Sequence, residues 1–249
     1  MKTAAITRVT DVRPLMATIA LLIMAALAPL TAMNAGAQST DPLATRVQFL
    51  HAATNTGEVE VHINNNEELD EFGYGDQSDW IDVDPGSVRV SITVDRAGFN
   101  YLLFDGNYPV PAGNDYYVVI SDALILAGSF DTAPVEAGNG RVQITHASAD
   151  TPEVNIIVSG TDMTIPVSYP KSSDAIELPA GSYDLDIQLA ETGDSLATIT
   201  GFTVAENTSY QLVAIGDPTS EDKPFEVKVM ETGITEAAPV ASPVATPAG

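Results

Sequence analysis

The chain has 249 residues, 10 Lys and Arg against 34 Asp and Glu, and no cysteine, which sets its formal net charge at −24. A surface this acidic repels polyphosphate backbones and anionic bilayers, so nucleic acid is excluded as a partner and binding to an anionic membrane surface is disfavoured. Without cysteine there is no disulfide frame, thiolate nucleophile, Cys-based zinc site or lipidated cysteine anchor.

Residues 1–37 read as a secretory signal peptide. Lys2, Arg8 and Arg13 form a basic n-region, Leu15 to Leu30 is an uncharged and mostly apolar run, and Ala35-Gly36-Ala37 is an A-x-A cleavage signal. That run of 16 residues falls short of the roughly 20 a spanning helix needs, and Pro29 ends its helical potential. A retained anchor is the alternative; the flanks favour cleavage, and no stable membrane anchor is then expected. Cleavage removes Lys2, Arg8, Arg13 and Asp11, so 10 and 34 become 7 and 33 and the mature charge is −26.

Two-residue periodicity follows. Val59, Val61 and Ile63 alternate with Glu60 and His62, and Val88, Val90, Ile92 and Val94 alternate with Arg89, Ser91 and Thr93. Such segments are strands with one face in a core and one in water. Tyr116 to Ile120 is continuously apolar, as for a strand buried on both sides. Glu136 to Gly140 is a short Gly-rich linker. Beyond it, Tyr183, Leu185, Ile187 and Leu189 alternate with polar residues, as do Phe225, Val227 and Val229, while Leu212 to Ile215 is again continuous. Asp84-Pro-Gly86, Pro111 to Asn114, Pro179-Ala-Gly181 and Gly216-Asp-Pro218 mark turns. Residues 235–249, with Pro239, Pro243 and Pro247 among Ala, Val, Ser and Thr, read as a disordered tail.

The mature chain is a duplication. Arg46-Val-Gln-Phe-Leu-His51-Ala returns as Arg141-Val-Gln-Ile-Thr-His146-Ala, displaced by 95 residues. At that displacement Ser78-Asp79 meets Ser173-Asp174 and Gly86-Ser87 meets Gly181-Ser182. Later the matching letters, Asn114 and Tyr117 with Asn207 and Tyr210, set a displacement of 93. The expectation is all-β: two tandem antiparallel β-sandwiches, immunoglobulin-like or transthyretin-like, over residues 45–135 and 141–234, with about seven strands each.

The repeated residues resemble a secreted bacterial family, the domain of unknown function 4397 family. Copy two carries its signature as His146-Ala-Ser148-Ala-Asp150-Thr-Pro152, and later Pro179-Ala-Gly181-Ser-Tyr183. Copy one is degenerate: His51-Ala-Ala53-Thr-Asn55-Thr-Gly57, then Asp84-Pro-Gly86-Ser-Val88. The resemblance implies an exported β-sandwich, often in tandem, and no established activity.

His51 and His146 are the most suggestive residues. His146 would bind a metal with Asp150 or act as a base toward Ser148. The structural alternative, which we favour, is an imidazole that bonds loop backbone and pins the strand exit. No nucleophile elbow of the G-x-S-x-G kind exists, and a triad's three roles cannot all be filled. Trp80 is the single indole and a candidate sugar platform with Tyr74; copy two has Ala175 there. No cofactor is expected, with calcium the best ligand hypothesis, since Asp82 with Asp84 and Asp184 with Asp186 share strand faces. Solvation of the outward faces explains the same acids more simply.

The reading is an exported, non-enzymatic structural or ligand-binding module of the cell envelope or extracellular space. Its candidate binding residues are His146, Ser148, Asp150, His51 and Trp80, and its partner is an extracellular protein or polysaccharide. A carbohydrate-active enzyme or carbohydrate-binding accessory, and a calcium-dependent adhesion module, are the alternatives.

Overall fold

The computed structural model describes residues 44–96, 99–122 and 124–234. The expected signal peptide and C-terminal tail lie outside them. The first repeat contains β1 (Arg46–His51), β2 (Val59–Ile63), β3 (Asn66–Phe72), β4 (Ile81–Asp82), β5 (Gly86–Arg96), β6 (Phe99–Val110), β7 (Asp115–Ile120) and β8 (Ile125–Ser129). The second contains β9 (Asn139–His146), β10 (Val154–Val158), β11 (Thr164–Val167), β12 (Ile176–Pro179), β13 (Gly181–Leu189), β14 (Ser195–Val204), β15 (Thr208–Ile215) and β16 (Glu226–Gly233). The last two residues of the expected linker thus belong to β9.

Each repeat is a sandwich of two four-stranded sheets, β4-β1-β7-β8 on β3-β2-β5-β6, and β12-β9-β15-β16 on β11-β10-β13-β14. The expected antiparallel sandwiches are present, with one parallel pair in each: β1 with β7 and β9 with β15. Among the described residues each repeat has eight strands rather than about seven. The strand hardest to see in copy one is β3, whose sequence NEELDEF is mostly exposed and shows no apolar alternation. It forms because Asn64 and Asn65, both at positive φ (51° and 69°), make a tight two-residue hairpin after β2. Its charges keep that sheet edge from pairing with another chain.

Inward residues fill one core per repeat. Phe49, Val61, Ile92 and Ile120 sit in the first, and Ile144, Ile156, Ile187 and Leu212 in the second. A third buried cluster joins the repeats: Leu50, Ala52, Tyr117, Val119 and Phe130 from the first meet Ala147, Val213, Ile215 and Met230 from the second. This layer explains the continuously apolar strands. β7 and β15 face their own core on one side and the other repeat on the other, so every second residue cannot be polar.

The arginines beside this layer are paired. Arg46 donates to both carboxylate oxygens of Asp115, at 2.9 and 2.5 Å, with Thr232 of the second repeat bonded to the same carboxylate. In the second repeat Arg141 occupies the matching place and donates to the carbonyls of Asp131 and Ala133, at 3.0 and 2.7 Å. It thereby fastens the segment before the linker to the second sandwich.

The register corrects the late displacement between copies. Gln48 pairs with Tyr117 and Gln143 with Gln211, so the structural displacement in this strand is 94, not 93. Two further features agree. The Tyr116 hydroxyl meets the Pro111 carbonyl as the Tyr210 hydroxyl meets the Ala205 N–H, and positive φ falls at Gly113 and Asn207. A one-residue slip exchanges the two faces of a strand. Tyr117 therefore points into the layer between repeats, while Tyr210 points into its own core. Matching tyrosine to tyrosine chose the wrong member of the Tyr116-Tyr117 pair.

Candidate functional site

The duplicated residues converge on the exit of the first strand in each repeat. His51 and His146 are both fully buried. Ring Nε2 of His51 lies 3.1 Å from the Gly57 carbonyl, and that of His146 lies 3.1 Å from the Pro152 carbonyl. A carbonyl only accepts, so Nε2 carries the proton and each ring closes the six-residue loop that follows it. Burial lowers both imidazole pKa values below 6.5, with the nearby Lys223 ammonium adding to the effect at His51. Nδ1 of each ring is buried and unpartnered among the described residues. A neutral ring is the state such surroundings favour.

The rest of the repeated motif does the same kind of work. Ser78 Oγ accepts from the Phe49 N–H at 2.9 Å and donates to the Asp79 carbonyl at 2.7 Å. Ser173 repeats both bonds with Ile144 and Asp174 at 3.1 and 2.8 Å. Gln48 and Gln143 donate to the carbonyls of those serines at 2.8 and 3.0 Å. What recurs in sequence is therefore a set of backbone ties.

Ser148 is buried, with its hydroxyl bonded to Thr151 Oγ1 and to the Gly216 carbonyl. Asp150 is exposed on the same loop. None of the bonds of His146 or Ser148 runs between them or to Asp150, so the three predicted neighbours in sequence form no relay. Among the described residues, Trp80 makes no ring contact with His51, which meets Phe72, or with His146, which meets Tyr169. It is half-buried beside the layer between repeats, its ring 5.7 Å from Phe130 and covered by the Arg46 guanidinium at 4.6 Å. One face of the indole is thus occupied by the protein itself.

The degenerate loop of copy one is held from outside. Asp122 accepts from the Thr54 N–H, the Thr54 hydroxyl and the Asn55 N–H, at 2.9, 2.8 and 2.7 Å. Lys223, from the second repeat, donates to the Thr54 carbonyl and lies 5.2 Å from the Tyr74 ring centre. Burial, with the charges of Glu226 and Asp122, pushes the Tyr74 hydroxyl up to about 12. Sequence reasoning missed Asp122 and Lys223, because neither belongs to the repeated motif.

The acid pairs proposed for calcium are partly engaged already. Asp184 accepts from the Gly201 N–H at 2.8 Å, and Asp186 accepts from Ser195 and Gln188, each at 2.6 Å. Among the described residues, the group with ligand atoms close enough for a metal is Glu60, His62 and Glu67, all within 4.8 Å of one another. Its imidazole suits a borderline ion such as zinc better than calcium.

Among the described residues, five of the six large exposed hydrophobic side chains, Phe99, Tyr101, Leu102, Leu103 and Tyr108, lie on β6. β6 is an edge of its sheet. Its counterpart β14 contributes no residue to that set.

No curated protein matches the chain. Two of the solved structures with weak likeness to the chain are these. A protein of Bacteroides fragilis NCTC 9343, described as a proposed cell adhesion protein, is 6% identical, with 80% of this chain and 100% of that one covered, at a TM-score of 0.21. The fimbrial anchor protein Mfa2 from Porphyromonas gingivalis is 10% identical, with 76% and 98% covered, also at 0.21. Scores this low carry no argument about fold or function. The family model described as "Domain of unknown function (DUF4397)" matches twice, at residues 45–156 and 140–241, and the chain belongs to that family in two tandem copies.

Proposed function

We propose that this protein is an exported, non-catalytic binding module that recruits its partner through the β6 edge of the first repeat. The observation that carries this reading is the concentration of exposed apolar side chains on β6, with Phe99 68%, Leu102 61% and Tyr101 53% exposed. A long edge strand with an apolar surface invites pairing with another chain, and folded proteins ordinarily blunt it. Here β3, at the opposite edge of the same sheet, carries four acids in seven residues, while β6 carries Asp105 alone, paired with Arg89. The fitting partner presents an extended segment with apolar side chains and a neutral or basic flank, since the chain's net charge is −24. Export rests on the signal-like segment 1–37.

The carbohydrate reading is weaker, because Arg46 already covers one of the two faces of Trp80 on which a sugar could stack. Calcium-dependent adhesion predicts a melting temperature raised by millimolar calcium and not by magnesium; a flat calcium titration removes it. The edge-strand reading is tested by capture from extracellular protein and polysaccharide fractions, using wild type beside Leu102→Asp and Tyr101→Asp. Support is a partner held by wild type and lost by both variants at unchanged melting temperature. Equal capture by the variants, or none by wild type, refutes it.

A further inference from the structure

We infer that the first sandwich is a binding site for a small, neutral, apolar molecule, held between its two sheets. The inference goes beyond the edge-strand reading and does not depend on it, because the ligand sits inside the sandwich and the partner outside β6.

The first repeat holds a partly open apolar cavity of about 210 Å³, lined from β5, β6, β7 and β8 by residues that include Val90, Phe104, Tyr108, Val118 and Ala127. A void of about 10 Å³ in the second repeat lies elsewhere in the sandwich, against Ile144, Ile156 and Ala214, whose counterparts Phe49, Val61 and Ile120 are not on the wall of the first-repeat cavity. Register shows how the facing residues around this cavity differ between the two copies. Val90 faces Gly106 in the first repeat, where Leu185 faces Ile199 in the second. Val118 faces Ala127, where Leu212 faces Val229. Val83 stands where the second repeat has Leu178, at the displacement of 95. Each of these five positions is smaller in the first repeat, and together they carry nine fewer side-chain carbons. One wall residue runs the other way: Phe104, opposite Ile92, stands where the second repeat has Ala197, opposite Ile187. Protein interiors are close-packed, and each buried void loses dispersion contacts. The cavity is therefore a space that the side chains of the first sandwich leave unfilled.

Position and chemistry define the occupant. The cavity lies between β6 and β8, the free edges of the two sheets on one side of the sandwich. The Tyr108 ring, 40% exposed and stacked at 5.9 Å on Phe104, stands at its rim. Gly106 lies between these rings, and a Cβ there would meet both at 3.1 Å. An apolar cavity of about 150 Å³ is known to stay dry and to bind benzene. A cavity of about 210 Å³ suits one substituted ring or a branched chain of similar bulk. An anionic headgroup is disfavoured by the chain's charge of −24.

Toluene is the probe, with benzoate as its charged analogue. At tenfold excess over its dissociation constant, toluene raises the wild-type melting temperature by about 3–5 °C, saturably, and benzoate does not. The Val118→Leu/Ala127→Val variant copies the second repeat and loses the toluene shift. Because that double change alters packing, Val90→Leu is a second filled variant, and nuclear Overhauser contacts place bound toluene in wild type against the Val90 and Ala127 methyls. No saturable shift in wild type, an undiminished shift in a folded filled variant, or contacts elsewhere would overturn the inference. A benzoate shift equal to that of toluene would overturn the neutral-ligand assignment. Leu102→Asp keeps the toluene shift, which separates this site from the β6 edge.

Discussion

The duplicated histidines make acid sensitivity a quantitative prediction. His51 and His146 are 0% exposed, and each spends its one ring N–H on a carbonyl, leaving Nδ1 without a partner among the described residues. Protonating Nδ1 would place a charge in apolar surroundings, so burial holds both pKa values below 6.5. In the unfolded chain both titrate near 6.5. The unfolded state thus takes up protons first as pH falls. The stability that the neutral rings contribute is complete above about pH 6.5 and is lost as pH drops from there through the folded-state values. Each histidine costs up to about 1.4 kcal/mol per pH unit in that window, and the pair up to about 2.7 kcal/mol. The assay is urea denaturation at pH 7.5, 6.5 and 5.5, with wild type beside His51→Gln/His146→Gln. Glutamine offers an N–H to the same carbonyls and does not titrate, and carboxylate effects common to both proteins cancel in the difference. Wild type should lose up to about 2.7 kcal/mol more than the variant between pH 7.5 and 5.5. A difference independent of pH refutes the neutral, structural histidines.

Three further outcomes follow from the packing. Met230→Ala, in the layer between repeats, should cost about 2–5 kcal/mol in denaturant unfolding, because Met230 is 0% exposed. Asp122→Ala removes the acceptor of three bonds to Thr54 and Asn55, and should cost about 1–3 kcal/mol. Amide exchange at 54 and 55 should rise while that of β9 does not. Gly216→Ala should cost at least about 2 kcal/mol in the same unfolding assay. Gly216 has φ +90°, and an added Cβ would lie 2.2 Å from the Pro224 carbonyl oxygen.

The candidate site was legible in one respect and hidden in another. His51 and His146 stood out because they repeat, and the structure places them at equivalent strand exits with equivalent bonds. Repetition marks what both copies need, and both need the same backbone ties. Ser148 and Asp150 follow His146 in the chain, but their side chains part, one into the loop interior and one into water. Adjacency along a turn does not fix the direction of a side chain. The features that differ between copies, Asp122, Lys223 and the apolar β6, were passed over for the opposite reason. They break the pattern that the search for repeats rewards.

The sequence by itself determined the all-β class, the duplication, the acidic surface and the strands with both faces apolar. These are properties of local periodicity and of composition, and they survive any arrangement of the strands. Only the tertiary structure decided what covers the second face of β7 and β15, which is the other repeat. It alone decided that Tyr116, not Tyr117, is the counterpart of Tyr210, because a displacement by one residue is nearly invisible in letters and reverses every side chain in a strand. It alone showed the cavity, since packing volume is a sum over facing residues from strands far apart in the chain, such as Val90 with Gly106 and Val118 with Ala127.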